Sequence, residues 1–253
     1  MGNFSSKTVI VTGALGGIGK STAHLLAEAG ANLVLSDISD NGGTALAEEL
    51  SAKGGKAIFV TANIANEEQV KALVDAAVST FGKLDGAFNN AGIAEAHKPL
   101  TELTEEEWDR VMNINAKGTF FCVKHQFLAM KDGGSIVNTS SGLGVIALPL
   151  VAEYCSSKHA VCGLTRAAAV EGASKGIRVN AILPGAVRTD MQKRLFGDDL
   201  DAPEVQEMIR SIHLIPRYCE PEEVGYLARW LLSDEASFVT GSLYNVDGGL
   251  TAV

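Results

Sequence analysis

Tyr154 and Lys158 stand four residues apart in Tyr154-Cys155-Ser156-Ser157-Lys158. On a helix such positions share a face, so a phenol and an ammonium can point into one site. A free phenol titrates near pH 10 and is a poor base at neutral pH; a nearby cation is expected to favour the phenolate. Such a pair suits proton removal from an alcohol, although the spacing alone is common. A second feature gives it context. Thr12-Gly13-Ala14-Leu15-Gly16-Gly17-Ile18-Gly19 lies between a β-branched apolar run and an amphipathic stretch. Glycines there let the backbone turn sharply and approach a pyrophosphate, which then sits on the next helix N-terminus. An acid, Asp37, ends the following apolar run, as a dinucleotide-binding fingerprint requires. A carboxylate at that point accepts both hydroxyls of an adenosine ribose and repels a 2′-phosphate, which favours NAD over NADP. Its neighbours are Ser36 and Ile38, not an arginine.

These residues need a scaffold. Lys7 to Thr12 is short, β-branched and apolar, the pattern of a buried strand. A helical period follows over 17–29, closed by Gly30, and a second strand over 32–36. The alternation predicts helix at 41–53, strand at 56–61, helix at 66–81 and strand at 84–89. One long helix is expected over 102–130, then strand 134–140, helix 153–174 and strand 177–183. A helix at 221–233 and a strand at 242–246 close the chain. Repeated β/α units with apolar strands predict a doubly wound parallel sheet of the Rossmann type, with about seven strands and helices on both faces. The expectation is a single domain over 1–253. Residues 188–219 break the rhythm with an acidic run and a helix-like 204–212, and read as a substrate loop.

Composition narrows the function. The chain has 253 residues, 46% of them hydrophobic and 20% charged, which excludes disorder and coiled coil. Its net charge of −9 argues against a nucleic-acid surface. No run reaches the length of a membrane span, so no membrane partner is expected. Cys122, Cys155, Cys162 and Cys219 form no CxxC pair, and no signal-peptide run precedes the first strand, so a reduced, cytoplasmic setting is expected. No cluster of ligand residues predicts a metal. Met1-Gly2-Asn3-Phe4-Ser5-Ser6 fits a loose myristoylation pattern, and Asn3 and Asn138 begin glycosylation sequons; patterns this short recur by chance.

Taken with Ser141, thirteen positions before Tyr154, and with Asn89-Asn90-Ala91-Gly92, these motifs resemble the short-chain dehydrogenase/reductase family over essentially the whole chain. The resemblance implies that Gly13, Gly17 and Gly19, with Ile18 between them, hold the cofactor beside Asp37, and that Asn90, Ala91 and Gly92 follow the fourth strand at the same site. It implies that Tyr154 is the base and that Lys158 lowers its pKa and bonds the nicotinamide ribose. Ser141 then orients the substrate oxygen, and Asn115 holds a water for proton relay. Val187 and Thr189 would face the nicotinamide carboxamide. Asn63-Ile64 stands where the family often has Asp-Val or Asp-Ile against adenine; an amide oxygen can still accept that bond. Resemblance also implies a homotetramer.

The expected substrate wall draws on Ile93, Leu143, Leu148, Met191, Leu195 and Met208, an apolar set suited to a hydrophobic or alicyclic secondary alcohol or its ketone. Two segments, Ser211 to Pro216 and Ala87 to Ala91, also resemble the branch that oxidises cyclic alcohols and dihydrodiols. His97 and His213 border this region and read first as packing or surface residues. Two alternatives stand beside this reading: an NADPH-dependent 3-oxoacyl reductase, and a dinucleotide-binding regulator without catalysis. Asp37 speaks against the first, and a full proton-transfer set against the second.

Overall fold

A computed structural model of the chain describes residues 3–52, 55–95 and 97–252; Met1 and Gly2 of the acylation-like pattern lie outside the described residues. The strands are β1 (Thr8–Thr12), β2 (Asn32–Asp37), β3 (Ala57–Thr61), β4 (Gly86–Asn89), β5 (Gly134–Thr139), β6 (Ile177–Pro184) and β7 (Leu243–Val246). All pair in parallel, in the order β3-β2-β1-β4-β5-β6-β7. The order reverses between β1 and β4, which opens a crevice at the carboxyl ends of those strands. The helices are α1 (Gly17–Glu28), α2 (Gly43–Ser51), α3 (Glu67–Phe81), α4 (Glu105–Val111), α5 (Thr119–Ala129), α6 (Ala152–Gly172), α7 (Asp190–Phe196), α8 (Pro203–Ile212) and α9 (Pro221–Leu232).

Strand side chains alternate between two cores. Val9, Val11, Leu33 and Leu35 pack with Leu26 of α1, Leu46 of α2 and Val224 of α9. Ile10 and Val34 pack on the opposite face with Leu73 of α3, Val123 of α5 and Ala168 of α6. Burial on both faces is why these strands read as unbroken apolar runs.

Two stretches differ from the sequence expectation. The predicted helix over 102–130 begins at a capping box between Thr104 and Glu107 and is interrupted by a π-helical segment, Met112–Gly118, between α4 and α5. At the centre of that segment the Asn115 amide bonds Ile93 in both directions, receiving its N–H and donating to its carbonyl at 2.8 Å each. A wide turn of this kind turns a side chain out of the regular period, and a periodicity reading cannot see it. The second stretch is 188–219. It contains α8, close to the expected 204–212, but also α7, whose seven mostly polar residues carry no apolar period. α8 sits on a buried cluster of Leu200, Val205, Ile209 and Tyr218. Among the described residues no helix is long and apolar enough to cross a membrane.

Candidate active site

A cleft of about 570 Å³ runs along the carboxyl ends of the strands. Strand order lays out its parts. Asp37 closes β2, the glycine turn follows β1, Asn90 follows β4, and Ser141 follows β5. Tyr154 and Lys158 reach the same cleft from α6.

The turn after β1 is built for close approach. Gly13 has φ +63°, a conformation that costs a side chain dearly. A Cβ on Gly19 would overlap the Gly13 carbonyl oxygen. Asn90 braces the turn from β4, its Nδ2 donating to the carbonyls of Thr12 (3.3 Å) and Gly13 (3.2 Å). The Thr12 hydroxyl accepts the Asn90 and Ala91 N–H groups at 3.1 and 3.2 Å. α1 then starts with no side-chain cap and no acid in its first turn, so its leading N–H groups remain available to an anion. Asp37 is held by the Leu15 N–H on Oδ2 (3.0 Å) and the Ile38 N–H on Oδ1 (2.8 Å), and a carboxylate has further lone pairs to offer. These features fit a dinucleotide. Asn63 and Ile64 line the cleft as well; the Asn63 Oδ1 also accepts the Ala65 N–H at 3.0 Å. Gly17, Ile18, Ala91, Gly92, Val187 and Thr189 complete this lining, and the Thr189 hydroxyl donates to the Val187 carbonyl at 3.2 Å.

At the other end Lys158 is buried, and its Nζ donates to the Thr139 carbonyl at 3.0 Å while standing 5.5 Å from the Tyr154 ring centre. Burial pushes the Tyr154 phenol up to about 12, against which a hydrogen bond with Ser141 works in the opposite direction. Burial pushes Lys158 down to about 8. Loss of water is the largest influence on the phenol, and the same burial destabilises the Lys158 cation that the sequence paired with it.

The neighbouring serines point apart. Ser140 donates to the Lys158 carbonyl at 2.9 Å and lies 3.1 Å from the Cys162 sulfur, inside the helix packing. Ser141 meets the phenol. Asn115 uses its amide on Ile93 and on the Ser157 hydroxyl (3.1 Å), so it ties the π segment, the loop after β4 and α6 together beside Lys158.

Of the six residues expected to form the substrate wall, Ile93 and Met191 line the cleft. Leu143 and Leu195 are half-buried outside it, Leu148 is exposed, and Met208 packs on the cluster under α8. Several participants carry no sequence motif. Thr139 offers Lys158 its carbonyl, Ser157 anchors Asn115, and Gln192 lines the cleft with its buried Oε1 unpartnered among the described residues. Beneath the floor, Asn89 bonds Gln126 and Asn138, and Asn138 donates to Thr165. Asn138 of the second sequon is thus fully buried. His97 meets Phe196 of α7 edge-on at 6.4 Å, while His213 lies outside the cleft.

Comparisons with known proteins agree with this geometry. A family model described as enoyl-(acyl carrier protein) reductase matches residues 13–251. The chain is 50% identical to a 2,5-dichloro-2,5-cyclohexadiene-1,4-diol dehydrogenase of Sphingobium indicum, over all of both chains. It is 44% identical to a cyclohexanol dehydrogenase of an Acinetobacter species, over 98% of this chain and 96% of that one. The crystal structure of levodione reductase superimposes with a TM-score of 0.93 at 36% identity, covering 99% of this chain and all of that one. On a family match over this span and on relatives this close from end to end, the chain is an oxidoreductase and belongs to the short-chain dehydrogenase/reductase family.

Proposed function

We propose that this enzyme is an NAD-dependent dehydrogenase interconverting an alicyclic, hydrophobic secondary alcohol and its ketone. The observation that carries the reading is the convergence of Tyr154, Ser141 and Lys158 in the cleft that ends at Asp37. The named activities of the relatives on cyclic diols and cyclohexanol support the substrate class. Asp37 supports the choice of NAD. Among the described lining residues the only lysine and arginine are Lys158, at the catalytic end, and Arg194, on α7, so nothing on β2 or its loop would welcome a 2′-phosphate.

Gly13, Gly17, Ile18 and Gly19 would hold the pyrophosphate, Asp37 the adenosine ribose, and Asn63 and Ile64 the adenine. Asn90, Ala91, Gly92, Val187, Thr189 and Lys158 would border the nicotinamide half. The dinucleotide, when bound, supplies hydride exchange with the carbinol carbon and, oxidised, a positive ring. Ser141 donates to the substrate oxygen and fixes it beside the phenol. In reduction, Tyr154 gives its proton to the developing alkoxide, a role that its raised pKa suits. In oxidation it must first lose that proton, so turnover in this direction rises with pH. Lys158 orients the pair through the Thr139 carbonyl, and Asn115 holds its surroundings in place.

The exposed Phe120 and Leu128 of α5 and Val170 of α6 support an assembly through these helices, which we read as a homotetramer. Four free thiols support a reducing, cytoplasmic setting.

A screen of cyclic and acyclic alcohols with NAD and NADP, followed through formation of the reduced cofactor, tests the reading. Oxidation of an alicyclic alcohol with clear preference for NAD is expected. Equal efficiency with NADP, or reduction of a 3-oxoacyl thioester with no alcohol oxidised, would replace it with the biosynthetic alternative. Tight dinucleotide binding with no turnover of any alcohol or ketone would leave only the regulator.

A further inference from the structure

The segment joining β6 to α7 is a wall between two cavities. Gly185, Val187 and Thr189 line the main cleft, whereas Gly185 and Ala186 also line a second cavity of about 270 Å³ behind it. The wall begins beside Ser141, since Pro184 ends the strand next to β5, and it reaches the glycine turn, where Thr189 lies against Gly17. It therefore borders the part of the cleft between the glycine turn and Tyr154, away from Asp37.

The wall is held from behind by backbone bonds. Gly185 donates to the Val246 carbonyl of β7 at 3.1 Å, Cys219 donates to the Ala186 carbonyl at 2.9 Å, and Arg188 donates to the Cys219 carbonyl at 2.9 Å. One support comes from a side chain. The Ala186 N–H donates to Nε2 of His213 at 3.2 Å, and the His213 Nδ1 lies 3.0 Å from the Ile209 carbonyl of α8. Those partners determine the tautomer: a carbonyl only accepts and an N–H only donates, so the hydrogen sits on Nδ1 and the lone pair on Nε2. His213 is 6% exposed and packs against Gly185 and Gly248. The Ala186 side chain also rests on the cluster beneath α8. The imidazole thus bridges a helix of the 188–219 segment to the back of the cleft wall, without reaching the cleft itself.

We propose that His213 is a positioning residue that locks the 185–188 wall to α8, so that the redox half of the dinucleotide is gripped only when the 188–219 segment is seated. The inference rests on the dinucleotide reading above. It separates two halves of one ligand: the wall borders the nicotinamide half, while Asp37 and the glycine turn hold the other.

The test uses the full chain with His213→Leu, His213→Asn and His213→Gln, titrated calorimetrically with NAD and with ADP-ribose, which lacks the nicotinamide. Leu removes both bonds. Asn retains a donor near Ile209 but loses the acceptor for Ala186, and Gln places an oxygen near the position of Nε2. A buried N–H left without an acceptor predicts NAD binding at least about fivefold weaker in the Leu and Asn variants. ADP-ribose affinity should stay unchanged, and Gln should recover most of the NAD affinity. If Leu does not fold, the Asn and Gln pair decides. Weakening of both ligands by one factor, unchanged NAD affinity in a folded Leu or Asn variant, or a Gln variant no better than Asn would each overturn the proposal. If the unmodified chain binds neither ligand, the dinucleotide reading falls and takes this inference with it.

Discussion

Lys158→Met should make the protein more stable and inactive together. The lysine is 4% exposed, and burial brings its pKa from 10.5 to about 8. At about 1.36 kcal/mol per pKa unit, holding the ammonium charged at neutral pH costs the fold about 3 kcal/mol. Methionine removes that cost and fills a similar volume. It also removes the 3.0 Å bond to the Thr139 carbonyl, a loss of about 1 kcal/mol. The net gain is about 2 kcal/mol, or a Tm higher by roughly 4–8 °C for a chain of this size. The effect has a defined pH window. Between pH 8 and 10.5 the unfolded lysine binds a proton and the native one does not, so the stability of the unmodified protein rises with pH there. The Met variant lacks this rise, and its advantage should be full below pH 8 and gone above pH 10.5. Urea unfolding at pH 7 and at pH 10.5, followed by tryptophan fluorescence, measures the difference directly. A Met variant less stable than its parent at pH 7, or an advantage of equal size at both pH values, would refute the assignment of Lys158 as a buried, strained cation.

Tyr154→Phe keeps the ring and removes the proton donor and acceptor, so turnover should fall by about 10²–10⁴-fold with NAD affinity nearly unchanged; retention of most activity would mean that another residue transfers the proton. Asp37→Ala should narrow the preference for NAD over NADP, read as the ratio of kcat/KM values for the two cofactors. Asn115→Ala breaks both bonds to Ile93 and the one to Ser157, and its lost partners should lower stability by roughly 1–3 kcal/mol and weaken turnover, measured by urea unfolding and kinetics. Light scattering at micromolar concentration should give a multiple of the monomer mass, and Leu128→Glu on α5 should lower it if that helix is the contact.

What local chemistry dictates was legible in the residues. A strand buried on both faces is rich in apolar and β-branched residues, which made β1, β2, β5 and β6 visible as short runs despite buried polar positions such as Asn138 and Asn180. A backbone at φ +63° calls for glycine, which marked Gly13. Four-residue spacing on a helix paired Tyr154 with Lys158, and the acid ending β2 stood out at Asp37. Other features depended on residues far apart in the chain. The π segment exists where Asn115 reaches Ile93, 22 residues away, and no apolar period records that pull. Ser140 and Ser141 are alike in type; only the packing of α6 turns one towards Cys162 and the other towards the phenol. His213 became a bridge because α8 and the segment after β6 meet there. The proton affinity of Tyr154 turned the same way. A neighbouring lysine argued for a lowered pKa, but desolvation depends on everything packed around a group, and only the tertiary structure supplies that surrounding.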